Sequence, residues 1–270
     1  MAERIAFIGG GNMASALISG MLVQGTAAAQ IDVVEPMTDA QTKLKSHFGI
    51  VAQAHPGSFL EAATLVVWAL KPQTFKEAAL QIRYHTRNAL HLSVAAGIRS
   101  DSIARWLGTE QLVRAMPNTP ALIRKGITAL YARAEVSAER RLVVERAISA
   151  TGEFLWFETE DQLDAVTALS GSGPAYVFYF MEAMISAGAD MGLTRQQAYQ
   201  LAVATFIGAG ELARSSNEPP EILRQRVTSK GGTTHAAINS MDQSGVKTAF
   251  VRALHEARRR ARELGDEFGA

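Results

Sequence analysis

The 270-residue sequence contains no cysteine. That excludes a disulfide framework, thiolate zinc sites, iron–sulfur clusters and a cysteine nucleophile. An excess of one charge is missing too: 27 Lys and Arg stand against 26 Asp and Glu, for a net charge of +1. A chain that neutralises phosphates along a nucleic acid would be more basic, so no nucleic-acid partner is expected. The cluster Arg258-Arg259-Arg260 is surrounded by Glu256, Glu263, Asp266 and Glu267 and reads as a solvated helix face. Long apolar runs are also absent. No charge occurs between Arg4 and Asp32, yet Gly9-Gly10-Gly11-Asn12 breaks that stretch after Ile5 to Ile8. The second uncharged stretch, residues 165–181, is interrupted by Ser170-Gly171-Ser172-Gly173-Pro174. A secretory core needs a continuous apolar run, and a membrane span needs about 20 mostly apolar residues. The expectation is a soluble, cytoplasmic protein with no membrane partner. The six histidines are scattered, and His255-Glu256-Ala257-Arg258-Arg259 lacks the second histidine of a zincin helix, so no metal is expected.

What is present points to an α/β protein. Apolar residues make up 47%, enough for a sizeable core, and the length suggests about two domains. Short apolar, often β-branched runs at residues 5–8, 31–34, 50–52, 65–70, 90–95 and 112–115 read as buried strands. Residues 127–131 and 154–157 add two more. Segments with helical spacing, such as 13–23 and 40–48, lie between the earlier runs. Such alternation predicts a doubly wound, mostly parallel sheet. Beyond Asp161 only helical stretches follow, at 174–191, 195–214, 235–244 and 248–264. The polar run Glu158-Thr159-Glu160-Asp161 divides the chain into a dinucleotide-binding domain, 1–160, and a helical domain, 161–270.

The first strand leads directly into Gly9-Gly10-Gly11-Asn12-Met13-Ala14, a match to G-x-G-x-x-A. The first glycine permits the tight turn, the second lets the backbone approach a pyrophosphate, and Ala14 allows close helix–strand packing. Helix N-terminal N–H groups would then receive the phosphate oxygens. Glu35 follows Ala14 at the spacing of an acid that accepts from the adenosine ribose 2′-hydroxyl, which by that rule alone favours NADH over NADPH. It reads equally well as an exposed loop acid. Lys71-Pro72-Gln73 and Ala95-Ala96-Gly97 end two later strands, where an open α/β sheet binds ligands. Lys71 alone also fits a solvent-facing strand-end charge. Met116-Pro117-Asn118-Thr119-Pro120 is either a rigid turn or a ring-binding loop. In the helical half, Ser229-Lys230-Gly231-Gly232-Thr233-Thr234 precedes a helix expected near His235. Its hydroxyls and uncovered N–H groups suit a carboxylate, or simply an ordinary capped helix.

A dinucleotide domain followed by helices suggests hydride transfer. Alcohol oxidation in β-hydroxyacid dehydrogenases uses a helix-borne lysine, and this chain has none between Lys125 and Lys230. A C=N bond asks for less, because its nitrogen is basic enough to be protonated before hydride arrives. Four segments carry a resemblance over nearly the whole chain: residues 7–14, 113–121, 170–176 and 227–234. On these the sequence resembles pyrroline-5-carboxylate reductase. The resemblance implies reduction of 1-pyrroline-5-carboxylate to L-proline with NADPH or NADH, and a C-terminal domain that forms a homodimer, with further assembly common. It implies that Ile8 and Gly9 to Ala14 hold the cofactor pyrophosphate, and that Leu70, Lys71, Pro72, Ala95 and Ala96 line the cofactor. Asn118 is implied near the nicotinamide. Ser229, Gly231, Gly232, Thr233 and Thr234 are implied as substrate-binding, with Thr234 bonded to the ring nitrogen. Lys230 departs from the family, which usually has proline there. The alternatives are a β-hydroxyacid dehydrogenase relative and a non-catalytic NAD(P)H-sensing module.

Overall fold

The computed structural model describes residues 3–269. These form two compact units, residues 3–172 with 257–269, and residues 173–256. The first unit is a seven-stranded sheet. Its strands are β1 (Ile5–Ile8), β2 (Ile31–Val34), β3 (Leu65–Trp68), β4 (Leu90–Ser93), β5 (Leu112–Met116), β6 (Gly126–Ala132) and β7 (Gly152–Trp156), in the order β2-β1-β3-β4-β5-β6-β7. Neighbours are parallel except β5 and β6. Helices α1 (Asn12–Val23), α2 (Thr38–Phe48), α3 (Pro72–Ile82), α4 (Ser100–Leu107) and α5 (Ala138–Ser149) connect them. One core lies on each face of the sheet. Leu17, Ile18 and Ile148 fill the first, and Phe75, Ile82 and Ile103 the second. Burial on both faces explains why β1 and β3 are apolar at every position rather than alternating.

One expected strand is absent. Residues 50–52 form no strand; pairing shrinks to a single parallel bridge between Val34 and Gln53. Ile50 is buried, but Val51 is 65% exposed, so the run is not the doubly buried strand its composition suggested. The bridge still has a use: Gln53 C=O accepts the Glu35 N–H at 2.9 Å and fixes the end of β2.

The polar run at 158–161 does not mark where the compact units divide. Residues 160–172 stay with the sheet because Glu160 is tied there. Its carboxylate accepts from the Ser100 N–H (2.6 Å), the Ser100 hydroxyl (2.5 Å) and Arg114 Nη1 (2.5 Å). Arg99 reaches Asp161 and Asp164. Short helix α6 (Gln162–Val166) and a π-helical turn, Thr167–Gly171, follow.

The second unit holds α7 (Gly173–Asp190), α8 (Arg195–Ser215), α9 (Pro220–Arg226), α10 (Thr233–Gln243) and the first part of α11 (Val246–Phe268). Thr194 caps α8, accepting the Gln197 N–H, while Gln197 Oε1 accepts the Thr194 N–H in return. The end of α11 belongs to the first unit, where Ala261 is buried and Phe268 packs on the second core. Among the described residues, no helix is long and apolar enough to cross a membrane.

A buried histidine, His91, lies within β4. Trp68 Nε1–H donates to His91 Nδ1 at 3.0 Å, so that nitrogen is an acceptor and Nε2, 3.3 Å from the Thr86 carbonyl, carries the proton. Burial pushes the His91 imidazole down to about 4. Its folded value lies below its unfolded one, so the stabilisation is complete above pH ~6.5 and is lost as pH falls toward 4. Chemical denaturation should lose about 2 kcal/mol of stability between pH 8 and pH 5 from this group alone. His91→Phe should flatten that slope; an unchanged slope would assign the loss to other groups.

Candidate active site

The glycine turn lies where the sheet reverses direction. Chain order runs from β1 to β2 on one side, then to β3 on the other, and such switch points leave a crevice at the strands' carboxyl ends. Gly9 has φ +97°, and a Cβ there would stand 2.5 Å from the Ala69 carbonyl oxygen. The turn after β1 is thereby packed against the turn after β3. At Gly10 a Cβ would meet Leu44 at 2.7 Å and the Glu35 side chain at 3.3 Å. At Gly11 it would meet nothing within 4 Å. Two glycines therefore serve protein packing, and the third leaves an open cradle. Gly11 is also the N-cap of α1, which has no capping side chain and no acid in its first turn. Free N–H groups at a positive helix end suit a pyrophosphate, so the residues present fit a dinucleotide.

Glu35 is not an exposed loop acid. It is 7% exposed, and its carboxylate accepts the N–H of Gly10 at 2.7 Å and that of Met37 at 2.8 Å. The Gln41 amide donates to the Glu35 carbonyl at 2.6 Å. Leu70 touches the Gly9 turn, and exposed Lys71 precedes Pro72 at the start of α3. Ala95 is buried below Ala96 and Gly97. A Cβ on Gly97 (φ +72°) would meet Leu264 of α11 at 3.0 Å. Sequence reasoning missed Leu264, because no local pattern connects residues so far apart. Asn118 pins its own turn: Oδ1 accepts the Ile127 N–H at 3.0 Å, leaving the amide N–H groups unused by that bond. The prolines flanking it stiffen the same loop.

In the second unit, the loop 229–234 corrects the capped-helix expectation. Helix α10 starts at Thr233 rather than near His235, so Thr233 and Thr234 lie in its first turn. The N-cap is Gly232, and no side chain caps it. Gly232 N–H donates to the Ser229 carbonyl at 3.0 Å, which folds the loop into a tight turn. A Cβ on Gly232 would stand 2.8 Å from Ser229 Oγ. Thr234 is exposed, and no hydrogen bond within the described residues engages its hydroxyl. The arrangement offers N–H donors and a free hydroxyl at one helix end, which suits a carboxylate with an adjacent acceptor atom.

Comparison with known proteins gives this geometry a family. Residues 160–264 match the family described as pyrroline-5-carboxylate reductase dimerisation, and residues 4–97 match NADP oxidoreductase coenzyme F420-dependent. The pyrroline-5-carboxylate reductase of Pseudomonas aeruginosa is 43% identical over 98% of this chain and 98% of its own. The chain belongs to the pyrroline-5-carboxylate reductase family. A solved pyrroline-5-carboxylate reductase from Coxiella burnetii superimposes with TM-score 0.91 at 36% identity, covering 98% of this chain and 99% of that one. The Plasmodium falciparum pyrroline carboxylate reductase, solved with NADP bound, gives TM-score 0.87 at 25% identity, covering 97% and 98%. Members of the family are NAD(P)H-dependent oxidoreductases, and the dimerisation region of this reductase makes it a homo-oligomer.

Proposed function

We propose that the chain reduces 1-pyrroline-5-carboxylate to L-proline, and that the uncapped start of α10 at Gly232 to Thr234 carries the substrate selectivity. The N–H groups of this turn bind the substrate carboxylate, with Ser229, Gly231, Gly232 and Thr233 shaping the cradle. The Thr234 hydroxyl donates to the ring nitrogen, and holding a donor there stabilises that nitrogen as it gains electron density. When bound, NAD(P)H would supply a hydride to the C=N carbon, and the nitrogen would take its proton from solvent. Gly9 to Ala14 with Ile8 hold the pyrophosphate, Leu70, Lys71, Pro72, Ala95 and Ala96 line the cofactor, and Asn118 presents its amide to the nicotinamide. The supporting observation is that α10 has neither a capping side chain nor an acid in its first turn. Oxidation of reduced nicotinamide that depends on added pyrroline-5-carboxylate checks the reading. Nucleotide binding without turnover would leave a sensing module in its place.

A homodimer through the C-terminal helices and a cytoplasmic place of action belong to the same proposal. In α7, Phe178 and Tyr179 are 58% and 69% exposed, and in α8 Leu201, Ile207 and Leu212 lie bare as well. Residues 196–210 carry no charge. A hollow of about 550 Å³ opens in the same unit, its apolar lining of Phe180, Ile238, Met241 and Phe250 rimmed by the charged Glu221, Arg224, Asp242 and Lys247. Surfaces of this kind are covered in a stable protein. Sedimentation should give at least twice the 29.0 kDa chain mass. A folded monomer at working concentration would sink the idea.

A further inference from the structure

We propose that Glu35 makes this enzyme select NADH over NADPH; the inference rests on the dinucleotide reading of the glycine turn. The first observation is position. Glu35 stands just past the end of β2, and its Oε2 accepts the Gly10 N–H at 2.7 Å, inside the turn that would carry the nucleotide. An acid at this place in a dinucleotide domain accepts from the adenosine ribose 2′-hydroxyl. Each carboxylate oxygen has a second acceptor direction beyond the main-chain bond it already makes. The second observation is rigidity. Met37 N–H holds Oε1 at 2.8 Å, Gln41 holds the Glu35 carbonyl, and the Gln53 carbonyl holds the Glu35 N–H. The side chain is buried, so it cannot swing out to make room for a larger group.

The third observation is the charge of the surroundings. No ion pair joins Glu35 to a cation among the described residues. The chain that follows, Pro36-Met37-Thr38-Asp39, supplies another acid and no Lys or Arg. A 2′-phosphate would bring a dianion against a fixed carboxylate, with no Lys or Arg in residues 36–39 to neutralise it. Specificity built this way comes from repulsion of the wrong ligand as much as attraction of the right one.

Direct titration of the folded oligomer with NADH and with NADPH, without substrate and read by calorimetry, tests the assignment. NADH should bind at least about tenfold more tightly than NADPH, since misplaced like charges commonly cost more than that. Glu35→Gln should narrow the ratio by about tenfold, mainly by improving NADPH. Met37→Arg, at an exposed position, should narrow it as well by supplying the missing cation, and it leaves the buried latch intact. ADP against 2′,5′-ADP should repeat the preference without the nicotinamide. Equal affinities, or tighter NADPH, in the unmodified protein would overturn the proposal. A preference that survives both substitutions would take the role away from Glu35. Failure of either nucleotide to bind would bring down the dinucleotide reading and this inference together. Selective binding without turnover of pyrroline-5-carboxylate would overturn the substrate reading and leave this one standing.

Discussion

Thr234→Ala should lower kcat/KM for pyrroline-5-carboxylate about ten- to a thousandfold while leaving nucleotide affinity unchanged. The substitution removes a donor aimed at the atom that gains electron density as hydride arrives; losing one such donor costs roughly 1.5–4 kcal/mol, and 1.36 kcal/mol is about a factor of ten in rate. Thr234→Ser keeps the donor and should retain most activity. Stability provides the control. Because Gly232 is the N-cap, Thr234 does not close α10, and its hydroxyl has no partner within the described residues. The thermal midpoint of Thr234→Ala should therefore hold steady. A capping threonine would behave in the opposite way, with a loss near 1 kcal/mol and turnover intact. Measuring both quantities on both variants separates the readings, and unchanged turnover in Thr234→Ala would end the assigned role.

Replacing the first and third glycines of the turn should damage different properties. Gly9→Ala puts a side chain into a left-handed backbone conformation and 2.5 Å from the Ala69 carbonyl oxygen. Strain at such a φ costs on the order of 1–3 kcal/mol, and the turn must move as well. The protein should melt earlier even without nucleotide. Gly11 has φ −72°, and a Cβ there meets no atom within 4 Å. Gly11→Ala should fold with less than about 1 kcal/mol lost. Its methyl would stand in the open cradle, so nucleotide dissociation constants should rise about tenfold or more, equivalent to ~1.4 kcal/mol. Calorimetric titration beside thermal melts distinguishes the two. If Gly11→Ala binds nucleotide normally, the pyrophosphate does not rest on this turn.

The strands were readable from sequence wherever both faces of the sheet are buried, because a continuous apolar run then has one explanation. β1, β2 and β4 began where expected. Residues 50–52 had the same composition, but Ile50 is the only fully buried member, and the run stops at one bridge. The turn at Gly9 to Ala14 was legible because glycine spacing encodes steric demands locally. The state of Glu35 was not: spacing located it, but its burial depends on Gly10, Leu44 and Met37 meeting around it. The start of α10 was placed two residues late, since hydroxyl residues before a helix look like caps and glycine took that position instead. The division at 160/161 rests on the polar run 158–161, whereas the compact sheet unit extends to residue 172. The tie from Glu160 to Ser100 and Arg114 leaves no trace in any short window.

The sheet unit is assembled from two stretches of chain, and that has a consequence for biosynthesis. Gly97 rests against Leu264, and Ser102 Oγ donates to the Gly269 carbonyl at 2.6 Å. During translation the stretch 3–172 emerges first, followed by the intervening residues 173–256. At ordinary elongation rates that interval lasts on the order of ten seconds. Throughout it the surface that later receives Leu264 and Phe268 stays bare on the nascent chain. The floor of the loop at 95–97 is thus finished after the helical unit has been made, and the ribosome-bound intermediate presents an apolar seam that chaperones can recognise.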